Sequence, residues 1–327
     1  MTIRLPAFDY LTPETLEDAA AALADPDRSV IIVAGGTDVV PKMKRRQMTP
    51  EVLVSLSKIE SLRGIRRDDE GRCVLGASTT LAEIHGSSLV PEVFASAAGD
   101  VASPQIRNTA TLGGNLSLDT RCNYIDMSDS WRQASGYCLK DGGDTCWVAP
   151  RSNKCWAISS SDLATVALAL GGSVKLTSVR GERMVPVEEL YNNDGIAYST
   201  QAPDEILVEL VLPKDCGRAT YQKLRRRGSI DFPLLGVAAV VSFDDAGVCA
   251  SARIVVGAVA SAPLRATEAE EFVVGRSFTK EVLEEAGRLA TQSVRPQDNT
   301  DTGSRYRKWM VPVFVEQALR AVADTSE

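Results

Sequence analysis

The sequence predicts an α+β chain with room for two or three domains, on three observations. Short apolar runs, such as Val30-Ile31-Ile32-Val33 and Val52-Leu53-Val54, alternate with stretches of helical spacing in the first part of the chain. Residues 237–243 and 248–257, joined through Asp244-Asp245-Ala246-Gly247, carry the pattern of a β-hairpin, and from about residue 263 the spacing turns helical. At 327 residues, 44% hydrophobic and 24% charged, the chain has the balance of a globular protein with a sizeable core.

Taken in order, Thr12 is a candidate cap for a helix that starts at Pro13, places Leu16, Ala19, Ala20 and Leu23 on one face, and stops at Asp25-Pro26. The run 30–33 has the continuous apolar character of a strand buried on both sides. It empties into Ala34-Gly35-Gly36-Thr37-Asp38, whose paired glycines suit a phosphate cradle and a plain tight turn equally. The basic run Lys42, Lys44, Arg45 and Arg46 reads as a solvated face. Residues 52–56 and 74–77 are further strands, the second leading to a helix over 79–84.

A second glycine pair follows in Thr111-Leu112-Gly113-Gly114-Asn115, where hydroxyl and amide side chains flank backbone that a ligand can approach closely. Ser161 caps a helix through Leu163, Val166, Ala167 and Leu170, which puts Asp162 in its first turn and ends at Gly171-Gly172. Residues 173–177 and 205–212 are strands, and Thr279 caps a helix through Val282, Ala286 and Leu289. In a last amphipathic stretch, 304–323, Tyr306, Trp309, Met310 and Val313 recur at helical spacing, as a core stripe or as a face for a partner. Pro312 is expected to bend that helix or mark its start.

Composition excludes several function classes. A net charge of -7 argues against nucleic-acid binding. The opening residues lack a basic segment followed by an apolar run, and no stretch has the roughly eighteen apolar residues of a membrane span, so a cytoplasmic protein is expected. An odd number of cysteines, seven, without an export signal favours reduced thiols or metal ligands over disulfides. Cys73 and Cys249 sit among apolar strand residues and read as small buried hydrophobes. The single histidine, His85, argues against a histidine-rich metal site and a Ser-His-Asp triad; its position at a helix end suits a capping or surface role.

The remaining signal lies between the second glycine pair and Asp162. Four cysteines, Cys122, Cys138, Cys146 and Cys155, stand there with fifteen, seven and eight residues between successive members. The residues among them are polar and supply little to bury, so a bound metal centre would explain order in so long a loop. Spacing alone leaves zinc and iron-sulfur open, although structural zinc sites usually pair cysteines two to four residues apart and no Cys-x-x-Cys occurs.

The three ordered motifs, Ala34 to Asp38, Thr111 to Asn115 and Ser161-Asp162-Leu163, together resemble the FAD-binding pattern of the xanthine dehydrogenase and carbon monoxide dehydrogenase flavoprotein family. The resemblance continues through Glu205-Ile206-Leu207, Tyr221-Gln222-Lys223 and Ser304-Arg305-Tyr306-Arg307. It implies a two-lobed FAD-binding domain over residues 1–216, with lobes of about 1–57 and 58–216, and then a small α+β domain over 217–327. By position, Ile32, Val33, Ala34, Gly35, Gly36, Thr37, Asp38 and Val39, with Thr111, Leu112, Gly113, Gly114 and Asn115, would surround the FAD phosphates. Asp162 would hold a polar group of the cofactor, and Val101, Leu207 and Lys223 would line the remainder.

The segment 118–158 departs from the family, whose ordinary members have a short loop without cysteines there. Such an insert resembles that of one branch, the 4-hydroxybenzoyl-CoA reductases, and implies a 4Fe-4S cluster on Cys122, Cys138, Cys146 and Cys155. It further implies a molybdenum-cofactor subunit and a 2Fe-2S subunit as partners, in a dimer of heterotrimers, with ferredoxin as electron donor. Substrate dehydroxylation would occur at the partner's molybdenum, so no residue here is expected to act as acid or base. The acidic residues Asp126, Asp129, Asp141 and Asp144 are expected to lower the cluster potential.

Overall fold

A computed structural model describes residues 4–324; the outermost three residues at each end of the expected domain spans lie outside the described residues. Three sheets organise the chain. Strands β1 (Asp9–Leu11), β2 (Val30–Val33) and β3 (Val52–Ser55) form a parallel sheet in the order β1-β3-β2. Strands β4 (Ile65–Arg67), β5 (Cys73–Gly76), β6 (Ser173–Ser178), β7 (Gly181–Pro186) and β8 (Ile206–Leu212) pair antiparallel in the order β4-β5-β8-β6-β7. The third sheet, also antiparallel, runs β12-β11-β10-β9, from β9 (Arg218–Leu224), β10 (Leu235–Phe243), β11 (Cys249–Gly257) and β12 (Leu264–Arg265). The hairpin expected from sequence is β10–β11.

The first helix is Leu16–Leu23, and its cap is Thr15, not Thr12: the Thr15 hydroxyl accepts from the Asp18 amide at 3.1 Å. Thr15 wins because Glu17 and Asp18 then occupy the first turn, where acidic side chains oppose the helix dipole. Ala19, Ala20 and Leu23 pack against Val52 and Val54 of β3 and against Ile206 and Val208 of β8, so the two lobes share one core. Strand β2 is the sheet edge and only half-buried over most of its length, contrary to the fully buried strand its apolar run suggested.

Ser161 does cap the helix Asp162–Ala169, accepting from the Ala164 amide at 3.0 Å, and Thr279 caps Lys280–Ala290. The last helix, Ser304–Asp324, continues past Pro312, which therefore does not mark its start. Its core face is Arg307, Val311, Val315, Ala318, Leu319 and Val322, whereas Tyr306, Trp309 and Val313 point outward. Periodicity fixed the stripe but not its side. The deciding contact is Arg307, fully buried and donating to the Ala258 carbonyl and to Asn299 Oδ1, both at 2.9 Å.

The helix Asp162–Ala169 of the second lobe is joined to β9 of the third sheet by a buried charge pair. Asp162 accepts from the Tyr221 hydroxyl at 2.6 Å and from Lys223 Nζ at 3.0 Å, and Lys223 also donates to the Asp100 carbonyl at 2.9 Å. Lys223→Met strands the Asp162 carboxylate in the interior, so urea unfolding should show a loss of about 3–5 kcal/mol. Adding Asp162→Asn to that variant should recover part of the loss; equal stability of the single variant and wild type would contradict the pair's role.

Candidate flavin site and cysteine pocket

Between the first sheet and the second lobe lies a cavity of about 420 Å³. Strand β2 delivers the first glycine pair to it. Gly36 has φ +68°, a left-handed conformation that favours glycine, and a β-carbon on Gly35 would stand 1.9 Å from the Thr109 carbonyl oxygen. The two glycine-pair segments therefore meet backbone to backbone. On the opposite side, Thr111 caps the short helix Leu112–Leu116 through Gly114, and Ser161 donates to Asn115 Oδ1 at 2.7 Å. That last bond ties the third motif to the second.

Of the residues expected at the cofactor, Ile32, Ala34, Gly35, Gly36, Thr37, Asp38, Val39, Val101, Thr111, Gly113, Gly114, Asn115 and Leu207 lie on the cavity wall. Four stand off it. Val33 alternates inward and packs with Met43 and Leu53, and Leu112 is buried in the core of the second lobe. Asp162 and Lys223 are engaged with each other at the domain junction. The wall also holds residues the sequence did not single out, among them Arg45, Ser78, Arg121, Gln201, Ile230 and Phe232.

Ile230 and Phe232 come from the loop between β9 and β10, which crosses from the third sheet to the cavity mouth. The Ile230 amide donates to the Ala102 carbonyl at 2.8 Å, and both residues have positive φ, +68° and +47°. A β-branched residue in that region is strained, so the crossing is imposed by its surroundings. The Arg121 guanidinium lies 4.0 Å over the Phe232 ring and pairs with Asp38.

Asp38 also meets Lys42 at 3.0 Å, and Lys42 reaches Asp119 at 2.7 Å. Lys42 is 3% exposed, so the basic run is not simply a solvated face. Its signal in the sequence was the i,i+4 spacing from Asp38. Asp119 in turn accepts from Lys140 at 2.7 Å. Burial pushes the Asp119 carboxyl up, but Lys140 and Lys42 more than offset this and hold it below the usual carboxylate range.

Beyond this network the four cysteines of the insert line one cavity of about 10 Å³, together with Tyr124, Lys140 and Trp147 among others. All four are free thiols; Cys122, Cys146 and Cys155 are buried and Cys138 is half-buried. Burial pushes the Cys122 thiol up to about 12 and the Cys155 thiol up to about 11, with the neighbouring sulfurs adding to the effect. Among the described residues no group of three or more His, Cys, Asp or Glu is arranged to hold a single metal ion.

The insert has more to bury than its polar composition suggested. Tyr124, Trp131 and Trp147 pack together, with ring centroids 5.3–6.3 Å apart. Arg132, 3% exposed, holds both oxygens of Asp141 at 2.6 Å and the Arg45 carbonyl at 2.9 Å.

A two-lobed domain with a cleft between paired glycine motifs, joined to a smaller domain built on an antiparallel sheet, defines the class as a cofactor-binding flavoprotein. The model of the FAD binding domain in molybdopterin dehydrogenase matches residues 6–215, and that of the CO dehydrogenase flavoprotein C-terminal domain matches residues 219–322. The chain belongs to this family: it is the FAD-binding subunit of a molybdenum hydroxylase-type oxidoreductase.

It is 28% identical to the 6-hydroxypseudooxynicotine dehydrogenase complex subunit alpha of Paenarthrobacter nicotinovorans, over 96% of this chain and 94% of that one. It is 29% identical to the carbon monoxide dehydrogenase medium chain of Afipia carboxidovorans, over 96% of each. Among solved structures, carbon monoxide dehydrogenase from Hydrogenophaga pseudoflava superposes with a TM-score of 0.80 at 26% identity, over 98% of both chains. Among the described residues no helix is long and apolar enough to cross a membrane.

Gly35→Ala should yield protein without bound flavin, read as the loss of flavin absorbance on purification, because the added methyl meets the Thr109 carbonyl; a yellow, fully loaded variant would contradict the close approach. The depressed Asp119 carboxyl predicts a pH effect of definite sign. Its contribution to insert docking is present above the unfolded value of about 3.9 and is lost as pH falls through the lower folded value. Trp131, Trp147 and Trp156 lie in the insert, so their fluorescence should change over that acid window. In Asp119→Asn that component should vanish.

Proposed function

We propose that this FAD subunit also carries a 4Fe-4S cluster on Cys122, Cys138, Cys146 and Cys155, and takes up low-potential electrons for a partner molybdenum site. One observation supports this most directly: Arg121 lies on the wall of the flavin cavity and the next residue, Cys122, on the wall of the cysteine cavity. Two cofactors there would be neighbours along the chain.

The donor set suits a multi-iron core. Four reduced cysteines converge on one cavity, the number of thiolates that a 4Fe-4S cluster takes. When bound, the flavin supplies exchange between one- and two-electron carriers and the cluster supplies one-electron exchange. The chain's own residues position these groups. The four thiols release their protons on ligation, Arg121 and Phe232 close the side of the flavin cavity nearest Cys122, and the Ile230 loop covers its mouth.

Within this reading the enzyme is a 4-hydroxybenzoyl-CoA reductase, which removes the phenolic hydroxyl to give benzoyl-CoA with ferredoxin as donor and with molybdenum and 2Fe-2S subunits as partners. The substrate rests on the cysteine insert, since the matched relatives are named for other compounds, including carbon monoxide and 6-hydroxypseudooxynicotine. A second reading, an FAD subunit of another molybdenum hydroxylase with a zinc-stapled or docking insert, is favoured by the aromatic cluster and Arg132, which give the insert its own means of holding shape.

Anaerobic purification followed by iron, sulfide, zinc and flavin analysis separates them. About four irons and four sulfides with one FAD per chain support the first reading. In Cys122→Ser iron should be lost while FAD stays. Flavin with zinc, or with no metal, overturns the first reading in favour of the second.

A further inference from the structure

The cysteine cavity is not electrostatically neutral. Of the described residues on its wall, Lys140 alone carries a charge; the others are the four cysteines, Tyr124, Ile125, Leu139, Trp147, Val148 and Ala157. Lys140 follows Cys138 by two residues, in the turn Leu139–Asp141, and its side chain is 11% exposed. Three acceptors fix the ammonium: Asp119 Oδ1 at 2.7 Å, Thr120 Oγ1 at 2.8 Å and the Gly195 carbonyl at 2.6 Å.

Gly195 makes this anchoring local to the sulfurs. Its amide donates to the Cys155 carbonyl at 2.9 Å, and a β-carbon on it would stand 2.7 Å from Cys155 Sγ. The carbonyl that receives Lys140 therefore belongs to the residue packed on Cys155. In keeping with this geometry, Lys140 draws the Cys155 thiol down against the burial that raises it.

The sequence assigned the lowering of the potential to four acidic residues of the insert. Asp141 holds Arg132, Asp126 meets Arg45 at 3.6 Å and accepts from Gln47 at 3.1 Å, and none of Asp126, Asp129, Asp141 and Asp144 lies on the cavity wall. The one charge on the wall is positive, the reverse of that expectation, while Asp141 from behind the wall acts on Cys138 with the opposite sign.

We infer that Lys140 is the positioning residue that sets the charge, and hence the reduction potential, of the centre bound by the four cysteines, with Asp119 tempering it. This rests on the cluster proposed above. Four thiolates make the bound centre anionic, and each added electron makes it more so. A half-buried ammonium on the wall stabilises that electron with little screening, and so raises the potential. Asp119 divides its two oxygens between Lys140 and Lys42, so its removal leaves Lys140 less compensated. The two residues act with opposite sign, which a merely structural role does not require.

The test is an EPR-monitored redox titration of the assembled enzyme, purified anaerobically, with iron and flavin counted in every sample. In Lys140→Met the reduced-to-oxidised ratio at a fixed potential should fall about tenfold, equivalent to a midpoint about 59 mV lower for one electron. Lys140→Arg should stay within about threefold of wild type in that ratio, since the charge is kept. Asp119→Asn should move the midpoint upward. Should Lys140→Met fail to retain iron, the sign of the Asp119→Asn shift decides alone. Iron-replete variants with wild-type midpoints, or with shifts of the same sign, overturn the inference and leave the cluster in place. Wild-type enzyme without iron overturns both.

Discussion

Lys42 stands 3.0 Å from Asp38 and 2.7 Å from Asp119, and almost none of its side chain reaches solvent. Asp38 belongs to the first glycine-pair turn, while Asp119 opens the cysteine insert. A buried ammonium needs both carboxylates, because an unpaired charge in that position would be expensive. The flavin turn and the insert are consequently held in one register by a single side chain. Arg121 and Lys140 extend the network in the two directions, one to the flavin cavity and one to the cysteine cavity. Three cations share two anions, so the bridge is positive overall. Such a bridge suits an anionic dinucleotide on one side and an anionic thiolate centre on the other.

The cleft itself depends on backbone contact more than on charge. Gly35 has no side chain because the Thr109 carbonyl occupies its place, and a β-carbon on Gly113 would stand a tight 3.0 Å from Ala77 Cβ. Sheets on either side can then approach until the cavity between them is narrow. The third sheet joins the second lobe's core through Ala238 and Val255 and reaches the same site through the loop that carries Ile230 and Phe232. Asp162, Tyr221 and Lys223 fix where that sheet sits, so the loop reaches its strained contact with Ala102. A junction far from the cofactor in sequence thus determines how its mouth is closed.

Much of this is legible in the sequence. The glycine pairs, the Ser161 cap and the hairpin are local signals, governed by residues near one another in the chain. The network was hidden because its members are separated: Lys42 and Asp119 are remote in sequence, and a basic run next to a turn ordinarily faces water. The side faced by Tyr306, Trp309 and Val313 stayed open for a related reason. Helical spacing identifies a stripe, but only tertiary contacts, here those of Arg307, show which side faces in. In the insert, polar composition concealed three aromatics that find each other only after the loop folds. The pairing of Asp141 with Arg132 likewise turned an expected exposed acid into a structural one.

The central claim is that the flavin and a cysteine-bound iron-sulfur centre are adjacent, joined through Arg121 and Cys122. Anomalous diffraction at the iron absorption edge, from anaerobic crystals of the flavin-loaded enzyme, tests it most directly. The account predicts an iron peak in this subunit, enclosed by Cys122, Cys138, Cys146 and Cys155, beside the flavin density. A peak at the zinc edge instead, or thiols closed on one another with no anomalous scatterer between them, would contradict it.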